Sequence, residues 1–147
     1  EERSKLWKAR HDAFWAAMAL LPGGEGMSTD VCVPISRLAE CVEETRRDIE
    51  EIGIVAPIVG HVGDGNFHTL PMALPDDVES WNKIKRFSER LCERAISMGG
   101  TCTGEHGIGQ GKIEYLRQEM GSAVDVMVAV KQALDPNDIL NPGKLFG

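Results

Sequence analysis

An α+β domain, a small antiparallel sheet with helices packed on one face, is what this sequence predicts. Three observations carry that expectation. Helical and extended patterns follow one another in the order helix, strand, helix, hairpin, helix. Asp64-Gly65 sits between two short apolar runs, the strongest local signal for a two-residue hairpin turn. The helical stretches carry apolar residues three and four apart and end at glycine.

Each element has its own warrant. From Glu2 to Leu21 one stripe runs Trp7, Arg10, Phe14, Ala17, Leu21, and Pro22-Gly23-Gly24 ends it. Val31-Cys32-Val33 is a short β-branched run entered from Ser28-Thr29-Asp30, a strand. Pro34 opens a second helix with Ile35, Leu38, Val42, Ile49 and Ile52 near helical spacing, closed by Gly53. Ile54 to Val62 and Phe67 to Ala73 form the two arms of the hairpin. With Asp64-Gly65 as the turn, Val62 faces Phe67 and His61 stands directly opposite His68.

Asp76-Asp77 puts negative charge at the start of a third helix, where the helix dipole favours it. That helix carries Trp81, Ile84, Phe87, Leu91 and Ala95 and runs to Gly99-Gly100. A glycine-rich crossing, Thr101 to Gly111, leads to helical stretches at Lys112–Met120 and Ser122–Leu134. About three strands are few for a complete sheet. The chain also opens Glu1-Glu2-Arg3-Ser4 inside a helical pattern, without an initiating Met. Both features point to a fragment of a longer protein.

Composition narrows the function classes. The 147 residues, 42% of them hydrophobic, suffice for one domain with a real core. A net charge of −7 argues against nucleic acid and against an anionic membrane surface as partners. No apolar run approaches the about 18 residues a membrane-spanning helix needs. Cys32, Cys41, Cys92 and Cys102 show no Cys-x-x-Cys pairing, so free thiols in a reducing compartment are expected. That places the protein in the cytoplasm, with peripheral attachment to the inner membrane compatible.

Candidate chemistry concentrates in His61-Val62-Gly63-Asp64-Gly65-Asn66-Phe67-His68, which holds two of the four histidines. Directly opposed residues in a hairpin have Cβ atoms about 4.5–5.5 Å apart, close enough for two imidazoles to share one metal ion. The alternative is a hairpin whose histidines cap the strand ends. Downstream, Gly104-Glu105-His106-Gly107 offers a carboxylate, and two His with one Glu form a zinc set that leaves a position open for water or substrate. Glu105 could equally be an exposed acid in a loop. His106 beside it is a natural general base if a metal is held. A phosphate-binding loop ending at Gly111-Lys112 is excluded, because His106 stands where its first glycine would be and Ile113 where Ser or Thr is required. Arg10 interrupts the apolar stripe of the first helix. It is either a snorkelling surface side chain or a guanidinium turned in to hold a carboxylate bidentately.

Three segments together carry a resemblance. His61–His68 (HVGDGNFH), Thr103–Lys112 (TGEHGIGQGK) and Leu134–Phe146 (LDPNDILNPGKLF) resemble the C-terminal portion of FAD-linked 2-hydroxy-acid dehydrogenases. These are flavoproteins of the vanillyl-alcohol-oxidase type, and they include cytochrome-linked D-lactate dehydrogenases and glycolate oxidases. Leu6–Arg10 and Asp30–Leu38 fit the same group.

The resemblance implies that residues 1–147 are a substrate-capping domain with a ferredoxin-like sheet, following an FAD-binding domain absent from this chain. It implies that His61, His68 and Glu105 are the ligands of a divalent Zn or Mn. His106 would be the catalytic base, Arg10 the carboxylate-binding arginine and Asn141 a flavin contact. Relatives acting on D-2-hydroxyglutarate carry lysine where Ser28 stands, so Ser28 favours a monocarboxylate such as D-lactate. The implied reaction is loss of the hydroxyl proton to His106 and of the C2 hydrogen to flavin. Its implied partners are a small 2-hydroxy acid and an electron acceptor such as a cytochrome or the quinone pool, and a homo-oligomer is compatible. Two other readings stay open: a metal-dependent hydrolase built on His₂Glu, and a non-catalytic ferredoxin-like binding module.

Overall fold

Helix ends fall where the sequence places its punctuation. In the computed structural model, which describes residues 2–146, α1 spans Glu2–Met18 and α2 spans Ile35–Ile52. Pro34 precedes α2, and Gly53, with φ of 73°, closes it by donating its N–H to the Ile49 carbonyl. α3 spans Val78–Ser97; Asp77 caps it by accepting the Ser80 N–H. α4 (Ile113–Met120) and α5 (Ala123–Leu134) follow the glycine-rich crossing.

The strands are short: β1 Glu25–Gly26, β2 Val31–Cys32, β3 Ile58–His61, β4 Asn66–Thr69 and β5 Met72–Ala73. β4 lies between β2 and β3 in an antiparallel three-stranded sheet, and β1 pairs with β5. The expected α+β architecture is present. β1 went unforeseen because Glu25-Gly26 has no strand-forming composition. Its pairing with Met72 and Ala73 is a tertiary event. Thr101, at the head of the crossing, forms a further bridge to Cys32.

The hairpin register differs from the expected one. Val62–Asp64 form a 3-10 turn and Gly65 follows at φ 76°, so four residues make the connection rather than two. His61 therefore pairs with Asn66, Gly60 with Phe67 and Val59 with His68. The reason lies outside the hairpin. The Gly65 carbonyl accepts the Val33 N–H at 3.0 Å, and a Cβ at Gly65 would lie 2.1 Å from the Val33 oxygen. Docking of the loop against the β2–α2 junction decides the pairing. A shift of two residues preserves the face of every side chain, so His61 and His68 still share one side of the sheet.

The other side is the core. Val31, Val33 and Phe67 meet Leu38 and Cys41 of α2 and Phe87, Leu91 and Ala95 of α3. Each large apolar side chain buried there contributes about 1.5–3 kcal/mol. The buried stripe of α2 is Leu38, Cys41, Thr45 and Asp48, rotated from the expected one, and Ile35 is exposed. Thr45 satisfies its hydroxyl on the Cys41 carbonyl, and Asp48 is paired with Arg90 at 2.7 Å and Arg94 at 2.8 Å. Those pairs join α2 to α3 and make a buried carboxylate tolerable. In α1, by contrast, no residue is buried, and Trp7 and Phe14 are each 51% exposed. No helix among the described residues is long and apolar enough to cross a membrane.

Candidate metal and substrate site

Strand alternation builds the first half of the site. Phe67 points into the core, so its neighbours Asn66 and His68 point to the opposite face, where His61 joins them from β3. The His61 and His68 rings are 5.8 Å apart and nearly perpendicular, at 89°. Residues 101–111 supply the second half. Glu105 Oε1 lies 2.7 Å from His68 Nε2 and 3.6 Å from His61 Nε2. One ligand atom from each of His61, His68 and Glu105 lies within 4.8 Å of the others. His106 stacks on His68 with centroids 5.2 Å apart and planes at 19°, its Nε2 4.0 Å from Glu105 Oε1.

The donor set fits a divalent ion. Two imidazole nitrogens and one carboxylate oxygen converge, and the histidine with the most confined environment is already oriented. His68 Nδ1 is 3.0 Å from the Thr29 carbonyl. A carbonyl only accepts, so Nδ1 carries the proton of that bond and Nε2 is left as the ligand atom.

His61, His68 and His106 line a cleft of about 310 Å³. Arg10 and Phe14 of α1 line it as well, as do Ser28 and Leu70. Arg10 also lies over the Trp7 ring, 5.9 Å from its centroid. Arg10 is exposed and lines the same cleft as His61, His68 and His106. Asn141 does not line it. That residue is exposed, at φ 51°, in a C-terminal segment tied to the glycine-rich crossing by the Leu145 N–H on the Gly109 carbonyl at 2.8 Å.

Asp30 is the group that sequence reasoning missed. It is buried, and its carboxylate accepts the backbone N–H groups of Glu105 and His106, the Thr103 hydroxyl and the Asn66 amide. Burial alone would push its carboxyl up, but the four bonds outweigh it, those from the His106 and Glu105 backbone first, and hold it well below the usual carboxylate range. Its sequence signal, a lone Asp before a β-branched run, reads as an ordinary strand-entry residue.

The sequence profile for "FAD linked oxidases, C-terminal domain" matches residues 1–145. The chain belongs to this family. Among relatives, the probable mitochondrial D-lactate dehydrogenase of Danio rerio is 56% identical over 99% of the chain and 30% of its own length. The mitochondrial D-lactate dehydrogenase [cytochrome] of Arabidopsis thaliana is 46% identical over 99% of the chain and 26% of its length. A glycolate oxidase subunit of Bacillus subtilis is 37% identical, again over 99% of the chain and 31% of its length. This FAD-linked oxidase C-terminal domain thus spans less than a third of each of these curated relatives.

Proposed function

We propose that residues 1–147 form the C-terminal substrate domain of an FAD-dependent D-2-hydroxy-acid dehydrogenase, with D-lactate as the preferred substrate. The observation that carries this reading is that His61, His68, His106 and Arg10 line one cleft, with Glu105 gathered against the two histidines of the hairpin. A hydroxy acid needs a cation for its carboxylate, a polarising group for its hydroxyl and a base for the proton, and the cleft edges supply all three.

His61, His68 and Glu105 would hold Zn or Mn, which when bound acidifies a coordinated hydroxyl. Arg10 anchors the substrate carboxylate, since a guanidinium matches it bidentately. His106 takes the hydroxyl proton, a role supported by its stacking on His68 beside the same group of ligands. Phe14 and Leu70 supply apolar surface for a short carbon chain. Ser28, a neutral hydroxyl on the cleft edge, offers no charge to a second carboxylate and so favours monocarboxylates. FAD, held mainly by residues outside this chain, is the two-electron acceptor, and exposed Asn141 is the contact this chain offers it.

The relatives' names extend the proposal to a cytochrome as electron acceptor and to the mitochondrion as compartment. The free thiols, expected of a reducing compartment, are compatible with that placement. The metal-dependent hydrolase is disfavoured by the family match, since the profile is that of flavin-linked oxidases.

The test is made in the flavin-loaded protein with His61→Ala and His68→Ala. Metal content by elemental analysis and flavin bleaching by D-lactate should fall together in both variants. Full D-lactate activity in a metal-free variant would refute the assigned roles.

A further inference from the structure

One buried carboxylate stands behind every group on the glycine-rich side of the site. Asp30 lies at the entry to β2 and is only 2% exposed. Its Oδ2 accepts the Glu105 N–H at 2.9 Å, the His106 N–H at 2.8 Å and the Thr103 hydroxyl at 3.0 Å. Its Oδ1 accepts the Asn66 Nδ2 at 2.8 Å and lies 3.8 Å from His68 Nδ1. These donors come from two elements distant in the chain, the β4 strand carrying His68 and the turn carrying Glu105 and His106.

The surroundings are fitted to that charge. Asn66 donates to both Asp30 and the Val31 carbonyl, and its own Oδ1 is buried with no partner among the described residues. The amide thus forgoes a bond at its oxygen to keep its N–H groups on Asp30 and the strand. Gly104 lets the turn come this close: a Cβ there would lie 1.8 Å from Asn66 Nδ2 and 2.9 Å from Asp30 Oδ1. Lys112, at the far end of the crossing, donates to the Asp30 backbone carbonyl at 2.7 Å and to that of Cys102, tying down the other end of the turn.

We propose that Asp30 is a positioning residue whose carboxylate builds the Glu105–His106 turn and sets both side chains against His68. The inference rests on the roles proposed above for Glu105 and His106, and it concerns how they are held rather than what they do. Only an ionised carboxylate suits three donors on one oxygen and a fourth on the other. A carboxamide weakens the turn in either orientation: with its NH₂ there the Glu105 and His106 N–H groups lose their acceptor, and with its oxygen there they keep only a neutral one while Asn66 meets a second donor, so Asp30→Asn loosens the turn while changing shape little.

The experiment uses the flavin-loaded protein, wild type beside Asp30→Asn, with two readouts. Backbone amide exchange should speed up at Glu105 and His106 while Phe67 and the α2–α3 core keep wild-type protection. Zn affinity, by competition with a chelator, should fall about 10- to 100-fold, as for loss of a group that orients metal ligands. Unchanged exchange at Glu105 and His106 in a folded Asp30→Asn protein overturns the proposal, whatever the metal does. Exchange that rises evenly through the sheet also overturns it, since that is a general structural role. If the wild type itself holds no Zn, the metal reading falls and the exchange pattern alone decides Asp30. Should Asp30→Asn fail to fold, Thr103→Val removes one donor to the same oxygen. Faster exchange confined to the turn then supports the proposal, and wild-type exchange overturns it.

Discussion

Gly104→Ala probes the closest approach in the site. The added Cβ would stand 1.8 Å from Asn66 Nδ2, 2.9 Å from Asn66 Cγ and 2.9 Å from Asp30 Oδ1. Real Cβ contacts do not reach such distances, so something must move. If the turn lifts, the Glu105 and His106 N–H groups leave Asp30. Each bond to a charged acceptor is worth about 1.5–3 kcal/mol, so that route costs about 3–6 kcal/mol. If Asn66 swings away, it gives up one charged bond and the bond to the Val31 carbonyl, for about 2–4 kcal/mol. The second route is the cheaper, and it leaves Glu105 and His106 in place. The expected outcome is therefore a loss of about 2–4 kcal/mol in urea unfolding with Zn affinity reduced only slightly. A destabilisation below about 1 kcal/mol would refute the reasoning, because the turn could then not be packed as tightly as the distances state.

Other outcomes follow from the ionisable groups. Asp135 ends α5 and accepts from Lys131 and from the Ile139 and Leu140 N–H groups, and these bonds, Lys131 first, hold its carboxyl below the ordinary range. Its anchoring of the C-terminal segment is complete above the ordinary aspartate value of about 3.9 and is lost as pH falls toward its depressed folded value. Proteolysis of residues 136–146 by an acid-active protease should thus accelerate once pH falls below about 3.9, and Asp135→Asn should be equally susceptible above and below that value. Cys102 is fully buried, and burial, with Glu119 nearby, pushes its thiol up to about 12. Iodoacetamide at neutral pH should leave Cys102 unlabelled until the protein is unfolded, while half-buried Cys32 reacts first; rapid native labelling of Cys102 would contradict its placement. Arg10→Met should raise KM for D-lactate at least tenfold (about 1.4 kcal/mol) with flavin content unchanged; an unaltered KM would remove Arg10 from the substrate site.

How much of this was legible beforehand differs from element to element. The caps of α2 and α3 were plain because Pro34, Gly53 and Asp77 act on the neighbouring turn of backbone. The grouping of His61 with His68 on one face was also legible, since face depends only on the parity of the register. The register itself was not, because the bond between Val33 and Gly65 that sets it joins residues far apart in the chain. In α2 the expected apolar stripe missed Thr45 and Asp48. Their burial depends on Arg90 and Arg94 of α3, and no local pattern announces a carboxylate whose partners lie on another helix.

By itself, then, the order of residues determined the α+β class, the helix limits, and a short inventory of reactive groups: His61, His68, Glu105, His106 and Arg10. The class, the helix limits and the grouping of His61 with His68 follow from spacing, turn chemistry and residue type, all of them local; Glu105, His106 and Arg10 stood out as a set through the resemblance of whole segments to a family. Tertiary structure alone decided that Glu105 stands 2.7 Å from His68, that Arg10 lines one cleft with the histidines, and that Asp30 accepts the N–H groups of the turn. The physical reason is that each of these contacts joins segments with no periodicity in common. Their meeting is set by the burial of Phe67, Phe87 and Leu91 on the far side of the sheet, which positions the strands, and by a single buried charge that gathers the donors around it.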